Sequence, residues 1–115
     1  MEKALGDNGI ELPEDASGVR FAVQIGPNEN FDLTFDTECG TVPEFLKESS
    51  FKESPKSYVL LPSLVETAGQ EHDWKLASYP EARGIEDDRL RSVDRSIIVA
   101  KAGGTSCKVF VSALR

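Results

Sequence analysis

Two short runs of strict alternation, joined by five turn-favouring residues, constrain this chain more than anything else in it. Val19, Phe21, Val23 and Ile25 alternate with Arg20, Ala22 and Gln24; Phe31, Leu33 and Phe35 then alternate with Asp32, Thr34 and Asp36. A period of two puts each apolar set on one face of a strand. Gly26-Pro27-Asn28-Glu29-Asn30 between them is a connection of hairpin length and composition. A β-hairpin is therefore expected, with an apolar face that needs a cover and a polar face turned to water.

The end of the chain holds a second hairpin signal. Ile97-Ile98-Val99-Ala100 and Val109-Phe110-Val111 flank Gly103-Gly104, whose glycines supply the positive φ of a tight hairpin. Ile97–Ala100 is apolar on both faces, as a central strand is. Between the hairpins, Thr41 with Glu44 has the spacing of a capping box and Pro43 suits a first turn, so a short helix is expected over 42–52, before Pro55. Tyr58-Val59-Leu60-Leu61, ended by Pro62, reads as a buried strand, and Trp74–Tyr79 alternates again before Pro80. Ile85–Arg95 reads as a second helix. Glu86, Asp87 and Asp88 lie early and Arg91 and Arg95 late, an order that complements the helix dipole, and Asp87–Arg91 is an i,i+4 pair.

Residues 1–17 are polar, with an Asp7-Asn8-Gly9 turn signal and Pro13, and read as a flexible N-terminal arm. Residues 18–115 then form a single α+β domain, a mostly antiparallel sheet of about six strands with one short helix packed on it. The order of hairpin and then helix resembles the start of a β-grasp domain, in order alone. A β-grasp-like domain or a small β-barrel is the competing architecture.

Charge narrows the function classes. Twenty acidic residues against 13 basic ones give a net charge of −7. Residues 1–57 carry twelve acids and five bases and residues 58–115 eight of each, so the whole excess lies in the first half. Such a field repels phosphate backbones and anionic lipid, which argues against nucleic-acid and membrane binding and suits a protein partner with a basic surface. Neither a signal peptide's apolar region nor a run long enough to span a bilayer is present. Two cysteines make at most one bridge, and the expectation is a cytoplasmic protein with reduced thiols.

Candidate chemistry is sparse. One histidine and two cysteines do not make a structural zinc set, and no cofactor-binding motif is present. Cys39 precedes a helix start, where dipole and amides lower a thiol pKa, and His72 with Asp73 would complete a base and its orienter. Asp36 and Glu38 oppose that thiolate, and Cys107 reads as a packing residue. Asp32 and Asp36 are four residues apart on one strand face, about 13 Å between Cα atoms, too far to share a proton. The arginines Arg83, Arg89, Arg91 and Arg95 are interleaved with acids and read as a salt-bridged segment.

What survives is the polar face of the first hairpin, where Glu29, Asp32, Asp36 and Glu38 form a ribbon of carboxylates. The balance is against an enzyme. The expected function is a non-enzymatic interaction module, an adaptor, accessory or inhibitor, that engages a basic protein surface through this ribbon. The alternatives are a small thiol-dependent enzyme using Cys39, and a structural subunit whose hairpin edges pair with copies of itself.

Overall fold

A computed structural model of the chain describes residues 5–6, 8–24, 29–51, 56–57, 72, 74, 82–90 and 93–114, with the backbone alone at 56–57 and 86–90. In chain order the elements are β1 (Ser17–Gln24), β2 (Asn30–Glu38), a 3-10 turn (Cys39–Thr41), α1 (Val42–Glu48), β3 (Lys56–Ser57), β4 (Arg83–Leu90), β5 (Val93–Gly103) and β6 (Ser106–Leu114). The strands make one antiparallel sheet in the order β1-β2-β6-β5-β4-β3. Five strands are full length and β3 has two residues. Among the described residues the sheet ends at β1 and β3, and it is not closed into a barrel.

Both hairpins form. β1 pairs with β2 through Phe21 opposite Leu33 and Val23 opposite Phe31. At the other end, Gly103 faces Ser106 across a Gly104-Thr105 loop, and Gly103 and Gly104 take φ of 119° and 56°. The two hairpins are then sewn together by β2 and β6, which pair without a break from Asn30–Leu114 to Glu38–Ser106.

Alternation decides the two sides of this sheet. One face carries Phe31, Leu33, Phe35, Ile97, Val109, Val111 and Ala113, and α1 packs there with Val42, Phe45 and Leu46. Those helix positions fall at i, i+3 and i+4, so a seven-residue helix, too short to stand alone, is held by its apolar stripe. Phe45 meets Phe35 edge-on at 5.2 Å. The helix stops at Glu48 rather than running to 52. Ser50 takes a left-handed φ of 61°, its amide donates to Lys47 O and the Phe51 amide to Leu46 O. Those two bonds, with Phe51 back on Phe45 at 6.3 Å, are a Schellman termination. The expected capping box does not form. Thr41 already has helical φ and ψ of −84° and −19° because the 3-10 turn precedes it, and a capping side chain requires an extended backbone there.

The expected second helix over Ile85–Arg95 is instead the hairpin of β4 and β5. In the strand register Asp88 stands opposite Arg95 and Arg89 opposite Asp94, so acids early and arginines late in the segment become cross-strand positions instead of the two ends of a helix. Only three apolar residues lie in that segment, too few for a helical stripe. The segment expected to be a flexible arm sends Leu5 and Ile10 into the core and packs Leu12 and Ala16 against it. The strands expected at 58–61 and 74–79 lie outside the described residues, Trp74 apart.

One side chain ties arm, helix end and sheet together. Arg95 of β5 is fully buried and donates to four backbone carbonyls. Its Nη1 reaches Ser49 O at 2.7 Å, Asn8 O at 3.2 Å and Gly9 O at 3.3 Å, and Nη2 reaches Ser50 O at 3.1 Å. The guanidinium also lies 4.1 Å over the Phe51 ring. Carbonyls at a helix C-terminus carry the negative end of the dipole and lack internal partners, so Ser49 O and Ser50 O suit a buried cation.

Candidate functional site

The four carboxylates of the expected ribbon do not form one surface. Asp32 is buried, with 3% of its side chain exposed. Its Oδ1 accepts from Ser112 Oγ at 2.8 Å, and its Oδ2 lies 2.9 Å from His72 Nε2. Asp36 is partly covered and sits 3.6 Å from Lys108 Nζ, its partner across β2 and β6. Glu29 is half-buried and Glu38 exposed, at the two ends of β2. The face expected to be wet is sealed because its neighbours are apolar. Ile98, Ala100 and Phe110 project from the same side of β5 and β6 and pack with Trp74 and Ala82. Trp74 lies 5.2 Å from Phe110 and stacks on His72 at 5.6 Å, which carries the imidazole over Asp32. A carboxylate enclosed this way must be hydrogen-bonded, and Ser112 and His72 supply that.

This Ser112–Asp32–His72 chain joins residues 40 and 80 positions from Asp32, a juxtaposition that spacing alone does not reveal. His72 is oriented by Asp32 of β2, not by the adjacent Asp73, which lies outside the described residues. The serine proton points to the carboxylate and not to the imidazole, so the order is not that of a nucleophile, its base and an orienter. The group fastens a side chain to the sheet.

The thiol expected at position 39 is not free. Cys39 is bonded to Cys107, with Cα atoms 4.9 Å apart. Thr37 faces Cys107 in the β2–β6 ladder and the Cys39 amide donates to Thr105 O at 2.7 Å, so the ladder delivers both cysteines to bonding distance. A nucleophilic role needs a thiolate, and the bond removes it. Cys107, expected to be a packing residue, is the other half of this cross-link.

Beside the disulfide, Asp15 accepts from Thr37 Oγ1 at 2.6 Å, the Glu38 amide at 3.0 Å and Thr41 Oγ1 at 3.4 Å. The Thr37 bond first, then the Glu38 amide, hold its carboxyl below the ordinary 3.8. Among the described residues no group of three His, Cys, Asp or Glu side chains is placed to hold a metal ion. No helix among them is long and apolar enough to cross a membrane.

The surface the first hairpin does offer lies on β1. Phe21 and Val23 are its exposed large apolar side chains, at 47% and 37%. They share the face of Leu33 and Phe31 but lie beyond the cover of α1, with the Phe21 ring 6.4 Å from Phe31. Among the described residues nothing pairs with the outer side of this strand. Alternation marked these positions correctly as one face; it did not show that the face continues past its cover. Comparison with protein families, with characterised proteins and with solved structures returns no match.

Proposed function

We propose that this chain is a non-enzymatic protein-interaction module that engages its partner through the β1–β2 hairpin, in an adaptor, accessory or inhibitory role. The observation that supports the reading is the outer strand of that hairpin, eight residues that end the sheet among the described residues, with Phe21 and Val23 exposed. Of the carboxylates expected to contact a basic partner, Glu38 is exposed at the end of β2 and can border such a contact, and Glu29 is half-buried just before the strand. Asp32 is engaged inside, and Asp36 is engaged with Lys108. The −7 net charge favours a protein partner over nucleic acid or anionic lipid. The Cys39–Cys107 bond favours an oxidising compartment over the cytoplasm that the cysteine count suggested.

The test is capture of partners from native extract with the wild type, Val23→Lys, and Glu29→Lys/Glu38→Lys, at low and moderate salt. Loss of the same partner with Val23→Lys supports the hairpin edge. Loss with the charge variant, together with salt sensitivity, adds the acidic rim. A partner retained equally by all three proteins refutes the reading.

A further inference from the structure

The disulfide and the tie of the N-terminal arm grip the same turn. We infer that Cys39–Cys107 is a redox-sensitive switch for residues 12–16: while the bond is intact this segment is strapped down through Asp15, and reduction lets it lift while the sheet stays paired.

Three observations carry it. The first is where the strap is fastened. Asp15 accepts from Thr37 Oγ1 at 2.6 Å, the Glu38 amide at 3.0 Å and Thr41 Oγ1 at 3.4 Å, so its donors lie two and one residues before Cys39 and two after it. Their convergence on one carboxylate depends on the path of the chain through Cys39. That path is fixed by the Cys39 amide on Thr105 O at 2.7 Å and by the sulfur bond to Cys107. The second is the division of the arm. Asn8 O and Gly9 O are held by Arg95, and the Glu11 amide donates to Ser49 Oγ at 2.9 Å, all away from the disulfide. Beyond them Leu12 and Ala16 lie partly covered against the core, and Asp15 supplies the tie to the turn. Redox state therefore acts on residues 12–16 and leaves 8–11 fastened. The third is what reduction leaves standing. β2 and β6 keep their unbroken register from Asn30–Leu114 to Glu38–Ser106, so opening frees the turn and not the sheet.

The chemistry is thiol–disulfide exchange with a dithiol. Cys107 is buried at 5% exposure and Cys39 is half-buried, so an external thiolate meets the Cys39 sulfur first. Its attack forms a mixed disulfide at Cys39 Sγ and expels the Cys107 sulfur as a thiolate. Lys101 stands opposite Cys107 across β5 and β6 and gives that leaving group a cationic neighbour. The second thiol of the reductant then releases Cys39. Two electrons and two protons pass in sum to the cysteine pair, and the dithiol departs as its cyclic disulfide. Coupling of this kind is reciprocal: by the factor that the disulfide favours the closed strap, the closed strap resists reduction.

The test is amide hydrogen exchange of the full chain, oxidised and reduced with dithiothreitol, with Cys39→Ser/Cys107→Ser as a second reduced form. The Glu38 amide reads the strap directly because it donates to Asp15. The equilibrium constant for reduction by dithiothreitol is measured beside it for the wild type and Asp15→Ala, with thermal melting to confirm that each protein is folded. Reduction should speed exchange at Glu38 about fivefold or more, the lower end of ordinary coupling between sites, while Leu33 and Val111 in the paired strands stay protected. Asp15→Ala should abolish the redox dependence at Glu38 and raise the equilibrium constant for reduction by the same factor. A Glu38 amide equally protected in both redox states overturns the switch, and the wild-type comparison decides this without any variant. A reduction equilibrium that Asp15→Ala leaves unmoved also overturns it, as does a reduced chain that loses its sheet.

Discussion

Arg95→Met is the sharpest test of how this fold is held. Methionine has a similar reach and suits an apolar site, so a position that needs only volume would tolerate it within about 1.5 kcal/mol. The structure predicts otherwise. Arg95 is 0% exposed, and its guanidinium satisfies Ser49 O and Ser50 O at 2.7 and 3.1 Å and Asn8 O and Gly9 O at 3.2 and 3.3 Å. Each buried carbonyl left without a donor costs about 1–3 kcal/mol. The two nearest dominate, and removing the buried charge recovers part of its desolvation. The net loss is therefore about 3 kcal/mol. Unfolding entropy near 2.1 cal/mol/K per residue gives about 240 cal/mol/K for 115 residues, so Tm falls by about 12 °C. Arg95→Lys should also destabilise, because one ammonium cannot span carbonyls that two guanidinium nitrogens now share. Urea denaturation gives the free energies. Limited proteolysis near Asn8 and Gly9 reports whether the arm lifts first. Arg95→Met within about 1 kcal/mol of the wild type would refute the account of this side chain as the fastening of arm, helix end and sheet.

Further predictions concern the backbone, the cross-link and pH. Cys39–Cys107 closes a loop of 68 residues, so reduction, or Cys39→Ser/Cys107→Ser, should cost about 4.4 kcal/mol by chain entropy; a shift below about 1 kcal/mol in urea would contradict this. Gly18 has φ of 57° and a Cβ there would stand 2.7 Å from Asp36 Oδ2, so Gly18→Ala should destabilise by about 1–3 kcal/mol, read by thermal melting. Ser50→Gly should raise Tm slightly, by relief of a left-handed serine worth about 1 kcal/mol in part offset by unfolded-chain entropy; a lower Tm would count against the Schellman description. Asp15 titrates below 3.8 in the folded state, so its contribution is present at neutral pH and is lost as pH falls through that lowered value. An NMR titration should place its midpoint below 3.8, and Asp15→Asn should flatten the acid limb of the stability curve.

What could be read in the sequence was whatever a local rule decides. A period of two marked β1 and β2, unbroken apolar runs at 97–100 and 109–111 marked β5 and β6, and the glycine pair marked the turn between the last two. The Thr41–Glu44 spacing and Pro43 marked the start of the helix, although the cap itself does not form and the helix stops at Glu48. The misreadings fall where two local rules accept the same residues. Acids followed by arginines between Ile85 and Arg95 fit the dipole of a helix, and they fit equally well a hairpin in which Asp88 faces Arg95 and Arg89 faces Asp94. The choice depends on β5 being claimed by β6, which is information from the far end of the chain. Asp32 looked solvent-facing because alternation assigns a face, and whether that face is covered depends on Trp74, Phe110 and Ile98. Cys39 and Cys107 meet only because β2 pairs with β6, so their spacing said nothing about a bond.

The fastenings are distributed unevenly, and that distribution bears on how the hairpin would work. β2 has a strand on each side, Phe31, Leu33 and Phe35 in the core, Asp32 bonded to Ser112 and His72, and a disulfide just beyond its last residue. Among the described strands β1 has one neighbour, and only Val19 and Ala22 along it are even half-covered. Opening free energy follows burial and pairing, so β1 belongs to the low-stability end of the sheet and β2 to the high end. A strand added at β1 gains backbone bonds and covers Phe21 and Val23 while nothing behind β2 has to move. The ordering cost of binding is then confined to one strand that is already extended, which is the condition under which a small edge contact retains useful affinity. The same asymmetry predicts that amides of β1 exchange with solvent before those of β2, and that a partner bound at β1 slows exchange there selectively.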